Sequence, residues 1–158
     1  MTDLISGVGE RVYPVGRLDM DSDGLLLLTD DGALTQRLTH PRHEITKRYR
    51  VTVAGEVSEE QLVRLGQPFL IGDYYTQPAR VKRDGKEGDN ARLSVEIHEG
   101  RNRQIRKMCE AVGLHVKRLS RISIGRIKLD GLPVGKWRYL DEDEVEYLYR
   151  ATRSVENV

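Results

Sequence analysis

The sequence predicts an α+β fold, one largely antiparallel or mixed sheet carrying a few short helices. Two observations lead there. Strand-like segments recur along the chain without the regular βαβ alternation that a doubly wound sheet requires. The helix-period stretches are few and short, and no internal repeat, low-complexity tract or interdomain linker divides the 158 residues, a length sufficient for one domain with a sizeable core.

Taken in order, Tyr13-Pro14-Val15 leads into the block Gly16-Arg17-Leu18-Asp19-Met20-Asp21-Ser22-Asp23. Residues 24–29 follow as a strand. Their four leucines are too short a run for a membrane and are bounded by polar turn residues, the pattern of a strand buried on both faces. Arg17 and Asp19, two apart on extended backbone, share a face, so the cation helps keep the carboxylate ionised. Of the three crowded acids Asp19, Asp21 and Asp23, only Asp19 has a basic residue two positions before it. By itself this block is equally an acidic loop at the lip of a core strand.

Asp30 or Asp31 caps a short helix over residues 33–39, with Leu34 and Leu38 on one face. His40-Pro41 ends it, because the residue before a proline disfavours helical backbone. Residues 47–53 alternate: Lys47, Tyr49, Val51 and Val53 face one way, Arg48, Arg50 and Thr52 the other. Tyr49 therefore points inward with the valines, where a tyrosine ordinarily packs and finds one hydrogen bond. Residues 58–65 form a second helix, Ser58 and Gln61 making a capping-box pair. Residues 79–82 and 92–98 read as strands around a polar loop over 84–90 whose composition is turn chemistry.

Asn102 caps a helix running to about Val112 and closed by Gly113. Ile105, Met108, Cys109 and Val112 fall at i, i+3, i+4 and i+7 and form its buried stripe, so Cys109 is a core residue and not a nucleophile. Arg106 lies beside that stripe, while Arg103 and Lys107 share a more exposed face. Residues 116–129 give one or two strands bearing Lys117, Arg118, Arg121, Arg126 and Lys128. Asp141 with Glu144 opens a terminal helix through about Arg150, and residues 152–158 form a frayed tail.

Charge is unevenly placed. The whole chain is +1, but residues 80–128 carry 14 Lys and Arg against 6 Asp and Glu, a local excess of +8. That excess suits a polyanion such as RNA, although basic residues on strands also simply solvate an outer face. No apolar stretch approaches the ~20 residues that span a bilayer, and Met1 to Ser6 lack the basic region and apolar core of a signal peptide. A single cysteine makes no internal disulfide, which fits a reducing cytoplasm. His40, His43, His98 and His115 are scattered without metal-ligand spacing, so no metal is expected.

Three segments, in order, carry a resemblance. Gly16-Arg17-Leu18-Asp19 with Ser22, Gly24-Leu25 and Thr29-Asp30-Asp31-Gly32 resembles the catalytic motif of the RsuA/RluB-type ribosomal RNA pseudouridine synthases. Lys47-Arg48-Tyr49 resembles that family's basic–x–Tyr motif. Glu99-Gly100-Arg101-Asn102-Arg103-Gln104-Ile105-Arg106-Lys107-Met108 resembles its third motif. The resemblance covers roughly residues 12 to 148. It implies a catalytic domain built on a long bent sheet with a central cleft. Full-length relatives also carry a small N-terminal RNA-binding domain and an opening strand with an Asn-Lys-Pro-like motif. Both would lie before residue 1, so residues 1–158 are expected to be the catalytic domain alone.

What the resemblance implies chemically is the isomerisation of a uridine in ribosomal RNA to pseudouridine. Uracil leaves its ribose at N1, turns, and rejoins through C5, with no redox change and no external donor, so no cofactor is expected. Asp19 would be the essential carboxylate, as nucleophile or as general base. Tyr49 would stack on the uracil, Arg106 would pair with Asp19 and keep it charged, and Arg17 would contact the RNA backbone or brace its loop. Lys47, Arg101, Arg103, Lys107, Arg118 and Arg121 would meet the RNA, which the protein is expected to bind as a monomer in the cytoplasm. Asn102-Arg103 resembles the large-subunit enzymes and favours 23S over 16S RNA, unless the pair merely caps and solvates its helix. Two rival classes remain at this level. A glycoside hydrolase would need a second carboxylate, which Asp21, Asp23 or Asp30 would supply, but leaves the basic segment without a purpose. A non-catalytic RNA-binding fragment explains the charge but not the Arg–Asp block.

Overall fold

The computed structural model describes residues 11–40, 45–100 and 103–153. Along the chain lie β1 (Tyr13–Pro14), β2 (Asp23–Gly24), β3 (Leu28–Thr29), α1 (Gly32–Thr39), β4 (Lys47–Val53), α2 (Glu59–Leu65), β5 (Leu70–Ile71), β6 (Tyr74–Tyr75), β7 (Arg80–Glu87), β8 (Asn90–Ile97), α3 (Gln104–Ala111), β9 (Val116–Ile124), β10 (Ile127–Lys128) and α4 (Glu142–Arg153). The fold is α+β, as the sequence predicts.

A six-stranded sheet organises it. Five strands pair antiparallel in the order β10–β9–β4–β8–β7, and β2 adds to β9 in parallel. β4 is the central strand, bonded along its length to β8 on one side and β9 on the other. Tyr49 consequently stands opposite Val95 and Arg121. The alternation of β4 holds only in part: Val51 and Val53 are fully buried and Arg50 is exposed, but Thr52, on the face opposite the valines, is buried as well.

Two apolar cores flank the sheet. The larger joins Val51, Val53, Leu93 and Val95 to Ile105, Met108 and Cys109 of α3 and to Leu65 and Phe69. The smaller joins Val15, Leu25, Leu27 and Ile45 to Ile124, Ile127 and Leu148 of α4. The caps follow the sequence closely. Asp31 accepts from the Leu34 amide at 3.1 Å, and Ser58 and Gln61 close their reciprocal box. Asp141 and Glu144 make a second box, with amide-to-carboxylate bonds of 2.8 and 3.0 Å.

Several expectations need correction. Residues 24–29 are not one strand. The Leu25 amide still donates to Arg121 of the main sheet, but the Leu27 carbonyl accepts from Val15, so the chain crosses to a separate β1–β3 ribbon. The leucines alternate accordingly, Leu25 and Leu27 buried and Leu26 and Leu28 half-buried. The loop expected over 84–90 is mostly strand, since Gly85, at φ +85°, absorbs a register shift between Arg83 and Lys86 and lets β7 continue. α3 begins after Arg103, whose side chain makes no capping bond, and Asn102 lies outside the described residues. α4 runs on to Arg153, because Thr152 is fully buried and bonds back to the Leu148 carbonyl. The β5–β6 hairpin has no counterpart among the expected elements.

Candidate active site

A cleft opens where the two cores meet, lined by Ile97, Ile105 and Leu119 from one and Val15, Leu27, Ile45 and Ile124 from the other, with a volume of about 560 Å³. A seam between cores is a natural place for a concave site, because neither core's side chains fill it.

Asp19 reaches the cleft on the loop between β1 and β2. Gly16, at φ +72°, turns the chain into the loop, and a bond of 3.0 Å from the Ser22 amide to the Asp19 carbonyl closes its far end. The loop then docks through Gly24 on β9. Gly24 has φ +115°, and a Cβ there would collide with the Arg121 backbone, so only glycine allows this approach.

The three aspartates of the loop have different surroundings. Asp21 is held by both Arg103 nitrogens at 3.0 Å, and Arg106 approaches it at 3.5 Å. The Arg103 hydrogen bonds set Asp21's pKa below its ordinary value, and Asp21 in turn raises that of Arg103. Asp23 is bonded by Arg118 at 3.2 Å and by the Ser120 hydroxyl. Among the described residues Asp19 has only Arg103, at 3.9 Å, and its half-buried carboxylate lines the cleft.

This corrects two expected pairings. No ion pair joins Arg17 to Asp19, and residues 17–19 belong to no strand; Arg17 lines the cleft as an exposed side chain. Nor does Arg106 pair with Asp19. Sitting inside α3, it reaches the underside of the loop, donating to the Asp21 carbonyl at 2.6 Å and to the Ser22 hydroxyl at 3.3 Å. The cation nearest the expected position is Arg103, at the helix start, where φ +53° turns its backbone.

On the cleft floor, Lys47 and Tyr49 project from β4 and Arg121 from β9. The Tyr49 ring packs against the larger core and its hydroxyl has no hydrogen-bond partner among the described residues. Lys47 is partly buried, and desolvation, reinforced by the Arg121 charge, pulls its ammonium below the usual lysine range. Of the remaining expected RNA contacts, Lys107 is exposed on α3 away from the cleft, Arg118 is engaged by Asp23, and Arg101 lies outside the described residues.

Sequence reasoning missed a second polar group in the cleft. Glu99 accepts from the Tyr74 hydroxyl at 2.5 Å, the Gln77 amide at 2.8 Å and the Gln104 side chain at 2.9 Å. It thereby ties the β5–β6 hairpin to α3 across one wall. Glu99 and Gln104 fall inside the third motif and were available to be singled out, whereas nothing marked Tyr74. Among the described residues no cluster of His, Cys, Asp or Glu could hold a metal ion, and no helix is long and apolar enough to cross a membrane.

The cleft thus combines one sparsely paired carboxylate, the Tyr49 ring on its floor and several cations, a set suited to carboxylate chemistry on an anionic substrate bearing a planar ring. A family profile for RNA pseudouridylate synthase matches residues 6–111. An uncharacterized RNA pseudouridine synthase of Aquifex aeolicus is 42% identical over 149 residues, covering 94% of this chain and 60% of that protein. The ribosomal large subunit pseudouridine synthase E of Xanthomonas campestris is 45% identical over 150 residues, covering 85% of this chain and 80% of that one. A crystal structure of a pseudouridylate synthase superposes with a TM-score of 0.78 at 36% identity, over 87% of this chain and 59% of that chain. The chain therefore spans about 60% of the length of two of these three relatives, and on the family match and these identities it belongs to the RNA pseudouridylate synthase family.

Proposed function

We propose that this chain isomerises a uridine of ribosomal RNA to pseudouridine with Asp19 as the essential carboxylate. The observation that carries this reading is Asp19 facing a cleft floored by Tyr49 while the neighbouring acids are taken up by arginines. A base drawn out of folded RNA at a cost of a few kcal/mol would lie on the Tyr49 ring, with stacking and backbone contacts offsetting that cost. Its ribose would then face Asp19, which attacks or deprotonates the nucleoside. The C1′–N1 bond breaks, the ring turns, and a C1′–C5 bond forms; C5 gives up its proton and N1 gains one. Atoms and electrons balance without any cofactor.

A two-carboxylate hydrolase is disfavoured by the same geometry, because Asp21 and Asp23 are already bonded to Arg103 and to Arg118 and Ser120, and Asp30 does not line the cleft. The substrate we infer is 23S RNA, supported by the large-subunit name of the Xanthomonas campestris relative. The protein acts as a cytoplasmic monomer in this reading. Arg17, Lys47 and Arg121 meet the nucleotide or its phosphates. Arg101, Lys107 and Arg118 extend the basic surface around it, with Arg103 and Arg106 holding the loop.

The test is tritium release from RNA carrying 5-tritiated uridine, with wild type and Asp19→Asn compared on 23S and 16S transcripts. Wild type should release tritium from 23S RNA and the variant should not, while both bind. Release by Asp19→Asn would refute the role of Asp19. Binding without release by either protein would leave an RNA-binding fragment.

A further inference from the structure

Among the described residues, the two cations on the cleft floor, Arg121 and Lys47, have no anion. Arg121 is only 5% exposed, yet among the described residues its side chain makes one hydrogen bond, from Nε to the Leu25 carbonyl at 2.8 Å, and its buried Nη2 has no partner. Lys47, two residues before Tyr49 on the same face of β4, has no hydrogen bond or ion pair among the described residues. Among the described residues neither has a carboxylate within 4.0 Å, although Arg50, Arg83, Arg103, Arg118 and Arg138 are each paired with an acid. Burying an unpaired guanidinium and placing an ammonium within range of its charge is costly, and such an arrangement is complete only when an anion arrives.

The position of the pair says which anion. Arg121 stands directly opposite Tyr49 in the β4–β9 register, and both line the cleft floor. A phosphodiester is bulky and strongly hydrated and stays at the mouth, where the exposed Arg17 lies. What descends to the floor is the base. We propose, building on the function inferred above, that Arg121 and Lys47 form the site that stabilises the detached uracil as an anion. When C1′–N1 breaks, both bonding electrons remain with the ring and spread over N1, O2 and O4. A fixed pair of donors in a water-poor cleft is most effective for charge that appears only as the bond breaks. The later bond from C5 to C1′ takes that electron pair back, so the cations hold the base between the two bonds.

The experiment compares single-turnover cleavage of 23S transcripts containing uridine or 5-fluorouridine, whose ring accepts negative charge more readily. Lys47→Met should slow the uridine reaction roughly tenfold to a hundredfold, in the range typical of losing one such donor, while RNA affinity changes less than threefold. On the 5-fluorouridine transcript the same variant should lose clearly less, because the better leaving group needs less help. Lys47→Arg should recover most of the rate. Arg121→Lys, which retains a cation should Arg121→Met fail to fold, should show the same smaller loss on the fluorinated transcript. An equal loss on both transcripts, or a loss in affinity that grows with salt, would make these residues phosphate contacts and overturn the proposal. Wild-type inactivity on 23S and 16S RNA would instead bring down the function itself.

Discussion

Arg103 grips both carboxylate oxygens of Asp21 at 3.0 Å, and from that anchored position its guanidinium stands 3.9 Å from Asp19. The residue that fixes Arg103 is therefore Asp21, so Asp21 positions the charge that Asp19 feels. Asp21→Asn should leave the fold intact and lower turnover about tenfold, within the range for a displaced positioning group, with RNA affinity little altered. Because Arg103 holds the Asp21 pKa below its ordinary value, the brace is fully present at neutral pH and is lost only as pH falls through that lowered value. Circular dichroism and single-turnover rates at pH 7 check both halves. Unchanged turnover would mean that Arg103 needs no anchor.

Tyr49 offers a ring and no hydroxyl function, since its hydroxyl bonds to nothing among the described residues. Tyr49→Phe should therefore retain nearly full activity. Tyr49→Ala should lose the stacking, worth ~1–3 kcal/mol per base, and with it about tenfold or more in kcat/KM. If Tyr49→Phe is as damaged as Tyr49→Ala, the hydroxyl takes part in the reaction.

Alternation along β4, the capping boxes and the stripe of α3 could be read from sequence because each depends on neighbours within four residues. The partner of Asp19 could not, because it depends on where α3 begins. The left-handed backbone at Arg103 places that side chain, and not Arg106, toward Asp19. The break in residues 24–29 was hidden for a related reason: a leucine run fits a strand in one sheet or a crossing between two, and the hydrogen bonds of Val15 and Arg121 decide. Glu99 went unassigned because two of its three hydrogen-bond donors, Tyr74 and Gln77, come from a hairpin segment more than twenty residues before it.

Gly24 should be among the least replaceable residues outside the cleft. At φ +115° and packed on the Arg121 backbone, it leaves no room for a methyl group. Gly24→Ala combines a strained dihedral with a backbone clash and should cost about 2–4 kcal/mol. Thermal unfolding should show it against Gly55→Ala, where φ is also positive but the space is open. Equal losses would mean that strain alone matters.

Cys109 is fully buried, and desolvation raises its thiol to about 11. The nucleophilic thiolate is then scarce at neutral pH. Native protein should not react with iodoacetamide at pH 7.5 over a period in which urea-unfolded protein is fully labelled, and Cys109→Ala should not reduce turnover in proportion to any labelling. Rapid labelling of the native protein would show that α3 opens from the core.

Arg138 sets the Glu144 carboxyl at about 2, the hydrogen bonds between them at 2.8 Å being the main cause and the bond from the Asp141 amide side of the box adding to it. A depressed folded-state value contributes stability that is complete above the ordinary carboxylate range and disappears as pH falls through the folded value. Both side chains meet solvent, so screening reduces the contribution to about 1 kcal/mol at neutral pH. Glu144→Gln keeps the shape and the capping geometry and removes the charge. It should lower Tm by about 2–4 °C at pH 7, and the gap from wild type should shrink steadily between pH 4.5 and pH 2. A gap that persists at pH 2 would assign the loss to capping and not to the ion pair.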